Sequence, residues 1–136
     1  MRYVDANVFI RLITRDEPAM TRSAGALFRR IELGEEEVAT LEATVAEVCY
    51  VLGSRMLYGL PPGEIRDRLH LLLSYRGVQM EDKARCLRAL DLYATYSRLS
   101  FADALIAAAA EETPEREIVS YDRGFDGVAG IVRVEP

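Results

Sequence analysis

Arg2-Tyr3-Val4-Asp5-Ala6-Asn7-Val8-Phe9-Ile10-Arg11-Leu12-Ile13 opens the chain and decides the fold class. Residues 2–4 read as a short strand, and an amphipathic helix follows directly around 8–13. The same succession returns further along. Pro18 begins a second helix, with Ala24, Leu27, Phe28 and Ile31 at helical spacing and Gly34 as its stop. Residues 37–41 form a short strand, and 44–57 a helix that is apolar nearly all round and so expected to be buried. Gly59-Leu60-Pro61-Pro62-Gly63 breaks the chain. Ile65, Leu69, Leu72 and Leu73 then mark a helix, 78–80 a strand or extended connector, and 82–96 a helix with Leu87, Leu90 and Ala94 inward. An alanine-rich helix over 100–112 and strands over 117–121 and 131–134 close the sequence. Strands alternating with helices indicate an α/β fold with a mostly parallel sheet.

The 136 residues suit a single domain over 1–136, and half of them are hydrophobic, which excludes disorder. No apolar stretch is long enough to span a bilayer, and the N-terminus lacks a basic region followed by an apolar one, so a cytoplasmic protein is expected. Cys49 and Cys86 lie in apolar helical runs without metal-ligand spacing and read as buried reduced thiols. A net charge of −5 argues at first against a nucleic-acid partner, but an acidic metal site would subtract charges that the bound ion restores. Lys83 is the only lysine; the other basic residues are arginines, whose planar fork suits phosphate.

Four acids stand in apolar surroundings. Glu47 is the only charge in Val45-Ala46-Glu47-Val48-Cys49-Tyr50-Val51-Leu52, and Asp103 the only one in Phe101-Ala102-Asp103-Ala104-Leu105-Ile106-Ala107-Ala108. Asp5 and Asp122 each end a strand. Buried acids need a compensating positive charge, and if these four converge a divalent metal is the natural candidate. Strand carboxyl ends and the helix starts facing them form the ligand-binding edge of open α/β sheets. An all-oxygen donor set selects Mg²⁺ or Mn²⁺.

Each acid also has a purely structural interpretation. Thr44-Val45-Ala46-Glu47 and Ser100-Phe101-Ala102-Asp103 both match the capping box, Asp5 can cap the helix after it, and Asp122 can make a turn with Arg123-Gly124. Asn7 can orient a ligand or cap a helix; Ser120 can assist Asp122 or be a small strand residue; Asp126 can be an outer metal ligand or part of a turn with Gly127. Glu42 competes with Glu47 for the second acid position but is expected ahead of its helix and solvated, His70 is expected to be structural, and Glu35-Glu36-Glu37 a solvated loop.

These residues resemble the PIN-domain ribonucleases, most closely the VapC toxins of VapBC toxin–antitoxin pairs. Tyr3-Val4-Asp5-Ala6-Asn7-Val8-Phe9-Ile10-Arg11-Leu12 is similar to the family's opening strand and D-x-N motif. Glu47-Val48-Cys49-Tyr50-Val51-Leu52 is similar to the helix of the second acid. Leu99-Ser100-Phe101-Ala102-Asp103-Ala104-Leu105-Ile106-Ala107-Ala108 resembles the third-acid motif, and Ile118-Val119-Ser120-Tyr121-Asp122-Arg123-Gly124-Phe125 the fourth. Four motifs in order span essentially the whole chain. The resemblance implies a three-layer α/β/α sandwich around a mostly parallel sheet of about five strands. It implies that Asp5, Glu47, Asp103 and Asp122 bind Mg²⁺ or Mn²⁺ for RNA hydrolysis, with Asn7 and Ser120 at supporting positions; some members of the family use additional carboxylates, which leaves the part of Asp126 open. It also implies a homodimer neutralised by a VapB-like antitoxin.

On this resemblance, Asp5 and Asp103 are the expected core ligands, Glu47 and Asp122 complete the set, and Arg11, Arg15, Arg98 and Arg123 are candidates for contacting the RNA backbone. Two alternatives compete. A receiver-type or phosphoryl-transfer domain would use Asp5 as a covalent nucleophile and needs a lysine at a later strand end, whereas Lys83 starts a mid-chain helix. A catalytically silent binding module would use the fold only to hold a partner.

Overall fold

The computed structural model describes all 136 residues, which group into two compact units, Met1–Lys83 and Ala84–Pro136. The first unit runs β1 (Arg2–Tyr3), α1 (Ala6–Thr14), α2 (Pro18–Glu32), β2 (Val38–Ala39), α3 (Glu42–Gly53), α4 (Pro62–Leu73) and β3 (Val78–Gln79). Its strands pair in the order β1-β2-β3, all parallel, with Arg2 opposite Val38 and Val38 opposite Val78. Proline at the first position starts both α2 and α4, where its missing N–H leaves no helical bond unmade. The core gathers Phe9, Phe28, Ile31, Val45, Val48, Leu52, Ile65, Leu69 and Leu73. Phe9 meets Phe28 edge-on at 5.7 Å. Gly77 sits where β3 begins: a Cβ there would lie 2.8 Å from the Glu36 carbonyl oxygen, so only glycine lets the two segments come this close.

The second unit contains α5 (Lys83–Thr95, its first residue belonging to the first unit), α6 (Phe101–Glu111), β4 (Glu117–Val119), a 3₁₀ turn (Arg123–Gly127) and β5 (Val132–Val134). β4 and β5 are parallel, with Ile118 opposite Arg133. The small side chains of Ala104, Ala107 and Ala108 are buried along α6, and Tyr93 packs edge-on against Phe101 at 6.3 Å.

All five expected strands exist and every pairing is parallel, as the alternation of strand and helix requires. Their hydrogen bonds join them as three and as two. The strands are only two or three residues long, so each ladder ends after two or three residue pairs. The free cysteines Cys49 and Cys86 are buried.

One helix departs from expectation. α3 is not buried all round: Val45, Val48, Cys49 and Leu52 form the buried stripe, while Glu47 and Tyr50 face out, Tyr50 being 75% exposed. An apolar composition had hidden a helix with two faces. It also begins at Glu42 rather than Thr44, with Leu41 at the cap and no side chain bonding to its first turn. Glu42 is therefore inside the helix and half-buried, not solvated ahead of it. Nor is Glu36 merely solvated, since Arg2 and Arg30 both pair with it. No helix is long and apolar enough to cross a membrane.

Candidate active site

Asp5 follows β1 and caps α1. Its extended backbone places Oδ1 to accept a hydrogen bond from the Asn7 amide at 3.1 Å. Asn7 is thus the capped residue and not the cap, and its exposed side chain makes no hydrogen bond. In the same unit, Glu47 stands on the outward face of α3, past the first turn, and makes neither a hydrogen bond nor an ion pair. The capping box read at Thr44 therefore does not form.

The corresponding box in the second unit does form. Asp103 N–H donates to Ser100 Oγ at 3.1 Å, and Ser100 N–H donates to Asp103 Oδ2 at 3.4 Å. Asp122 caps the 3₁₀ turn through its Oδ1, which accepts from Gly124 N–H at 2.8 Å. Its own N–H donates to Ser120 Oγ at 2.9 Å. A Cβ on Gly124 would lie 3.0 Å from that same Oδ1.

The acids are not buried, contrary to the expectation from their apolar neighbours: Asp5, Glu47 and Asp122 are exposed and Asp103 is half-buried. Neighbours in sequence on a helix or at a strand end need not be neighbours in the core. Asp5, Asp103 and Asp122 share a hold on the backbone, each carboxylate accepting from a backbone N–H. None of the four forms an ion pair, and where a hydrogen bond exists it comes from backbone N–H and occupies one oxygen.

Asp16 and Asp126 behave differently. Asp16 accepts from Tyr58 Oη at 2.6 Å, Thr14 Oγ1 at 2.7 Å and Arg11 at 3.0 Å, and these bonds, Tyr58's foremost, hold its pKa down to about 2. Arg11, raised in turn mainly by Asp16, is committed to this network, which removes it from the freely available RNA contacts. Asp126 is gripped through both oxygens by Arg133, at 2.7 and 3.3 Å, which lowers its pKa. Its carboxylate is therefore engaged by a cation already, unlike that of an outer metal ligand. Arg133 also binds Glu135 and the Ser120 carbonyl. Asp16, Tyr58 and Arg133 hold these segments in place, yet no local motif announced them: Tyr58 meets Asp16 across 42 residues.

Of the remaining arginines, Arg15 ends α1 with a left-handed backbone (φ 57°) and lines a cleft between α1, α2 and α4, while Arg98 and Arg123 make no ion pair or hydrogen bond. The Lys83 ammonium donates to the Tyr75 carbonyl at 3.3 Å, and burial lowers its pKa. That tether does not favour the receiver-type alternative, in which a lysine must be free to meet a phosphoryl group.

Residues 2–131 match the PIN domain family. The chain belongs to that family. The match takes in Asp5, Glu47, Asp103 and Asp122 and extends across both units. No curated protein matches the chain. The PIN domain has a three-layer α/β/α, nuclease-type fold; its members are generally metal-dependent nucleases, typically bind divalent metals and act on RNA.

The residues present fit a divalent cation by donor chemistry. They offer hard carboxylate oxygens with no cation of the protein's own to displace. No three His, Cys, Asp or Glu side chains form a ready-made cage. Mg²⁺ does not require one, since it keeps several waters and binds through one or two carboxylates together with substrate phosphates.

Proposed function

We propose that the chain, acting as one domain over 1–136, is a Mg²⁺- or Mn²⁺-dependent endoribonuclease and the toxin of a type II toxin–antitoxin pair. In this proposal it works in the cytoplasm as a homodimer and is neutralised by a VapB-like antitoxin. The observation that carries the nuclease assignment is that, within a PIN family match, Asp5, Asp103 and Asp122 are held by backbone N–H groups and, like Glu47, form no ion pair. The toxin assignment, the homodimer and the antitoxin rest on the sequence's likeness to the VapC toxins.

Asp5 and Asp103 are assigned as core ligands, with Glu47 and Asp122 completing the set. When bound, the ion lowers the pKa of water and stabilises charge on the phosphoryl oxygens. The chain's own groups do the rest. Backbone N–H bonds fix the carboxylates of Asp5, Asp103 and Asp122 each in its own unit before substrate arrives. Ser120 holds the backbone of Asp122. Glu47, which makes no hydrogen bond of its own, completes the set directly or through a water, where it can orient the attacking water. Asn7 presents an unbonded amide beside Asp5 that can orient a substrate oxygen.

The test is to map RNA 5′ ends in cells briefly expressing the wild type or Asp5→Asn. New ends at a defined site with the wild type alone are expected. No new ends, with soluble protein free of antitoxin, would overturn the nuclease assignment and favour the silent binding module.

A further inference from the structure

A groove of about 420 Å³ in the second unit is lined by Thr95, Tyr96, Arg98, Arg123, Gly124 and Asp126, among others. Its lining takes in Arg123, the residue after Asp122, and Gly124, whose N–H holds the Asp122 carboxylate. Its two arginines, Arg98 and Arg123, make no ion pair or side-chain hydrogen bond. The single acid lining it, Asp126, is hydrogen-bonded through both oxygens by Arg133, and Arg123 meets it only as a nearby charge, without a hydrogen bond or ion pair.

The walls are rigid. A Cβ on Gly124 would lie 3.5 Å from the Arg98 carbonyl oxygen, so the 3₁₀ turn lies directly against the segment carrying Arg98. The Tyr96 hydroxyl accepts from Ala129 N–H at 3.1 Å, which ties the aromatic side of the groove to the loop before β5. Two unpaired guanidinium groups with an aromatic ring between backbone walls suit a backbone phosphate with a base against the ring.

We propose that this groove is a phosphodiester subsite, in which Arg98 and Arg123 hold a phosphate of single-stranded RNA beside the one being hydrolysed. The choice of RNA rests on the nuclease function proposed above; the anion site rests on the groove itself. It assigns opposite charge to adjacent places. Acids at Asp103 and Asp122 would repel a phosphate unless a cation were present, whereas Arg98 and Arg123 attract one without it. Substrate is therefore captured in the absence of metal, and the strand is registered before cleavage.

The experiment measures binding of a fluorescein-labelled octauridylate to the full chain by anisotropy, in EDTA, over a series of salt concentrations. Arg98→Ala and Arg123→Ala are each expected to weaken binding and to flatten the plot of log K against log salt by about 0.7, the single-strand value for one phosphate contact. Arg98→Lys should retain the slope, and Arg22→Ala, altering an exposed arginine of α2, should leave both slope and affinity near wild type. Wild-type slopes in both alanine variants, equal flattening by Arg22→Ala, or no wild-type binding at all would each overturn the subsite. Because no turnover occurs in EDTA, the two proposals fail separately. Arginine-dependent binding with no metal-dependent cleavage retires only the nuclease, and cleavage with arginine-independent binding retires only the subsite.

Discussion

Asp5 in the first unit and Asp122 in the second are built alike. Each lies beyond a parallel strand, each caps the turn that follows, and each gives Oδ1 to the N–H two residues on, Asn7 at 3.1 Å and Gly124 at 2.8 Å. Downstream of each stands a second aspartate with the opposite fate: Asp16 is bound by Arg11 and Tyr58, and Asp126 by Arg133. A carboxylate anchored by backbone dipoles keeps its full charge for an incoming cation, whereas one paired with arginine has already found it. Position at a strand end separates the two kinds more surely than residue type does.

The largest expected effect comes from removing charge at the backbone-held acids. Asp5→Asn or Asp103→Asn should reduce metal-dependent RNA cleavage by more than about 100-fold, since even outer-shell changes at metal sites cost 10- to 100-fold. Asparagine caps helices about as well as aspartate, so the thermal midpoint of Asp5→Asn should stay close to wild type. A collapse in its midpoint would mean that Asp5 serves the fold.

Gly124→Ala sharpens the comparison from the other side. Its Cβ presses on Asp122 Oδ1 at 3.0 Å, and displacement of the carboxylate by a few tenths of an ångström should lower kcat by about tenfold, less than the ~10² of an ångström-scale misplacement. Wild-type kcat would show that Asp122 needs no fixed position.

Ser100→Ala removes one half of the capping box and should destabilise the chain by about 1 kcal/mol in urea denaturation. The smallest effect belongs to the paired acids. The Asp16 carboxyl titrates at about 2 in the folded chain against an ordinary 3.8, so its stabilising contribution is complete above pH 4 and lost as the pH falls toward 2. Asp16→Asn should flatten the acid limb of stability against pH in that window, and an unchanged limb would deny the network its role.

Local pattern carried much of this into view. Strand–helix alternation gave the α/β class and all five strands, Pro18 marked the start of α2, and Ser100 to Asp103 announced a box that forms. The same box pattern at Thr44 failed because α3 starts two residues earlier, at Glu42, which leaves Glu47 beyond the first turn. The apolar run around Glu47 suggested burial, yet helical geometry turns Glu47 and Tyr50 away from the stripe formed by Val45, Val48 and Leu52. Pairings such as Tyr58 with Asp16 or Arg85 with Glu112 span 42 and 27 residues, and nothing in local periodicity encodes them. Arg11 and Asp126 looked available in the sequence although their partners Asp16 and Arg133 lie only five and seven residues away, because neither pair shares a helix face or a strand face.

The most direct test is Mn²⁺ binding to the purified full chain, followed by electron paramagnetic resonance for the wild type, Asp5→Asn and Asp126→Asn. The expected result is binding by the wild type, binding close to that by Asp126→Asn, and binding weakened by more than about 100-fold in Asp5→Asn. Undiminished binding by Asp5→Asn, or loss of binding in Asp126→Asn alone, would contradict the claim that the acids held only by the backbone are the ones that take the metal.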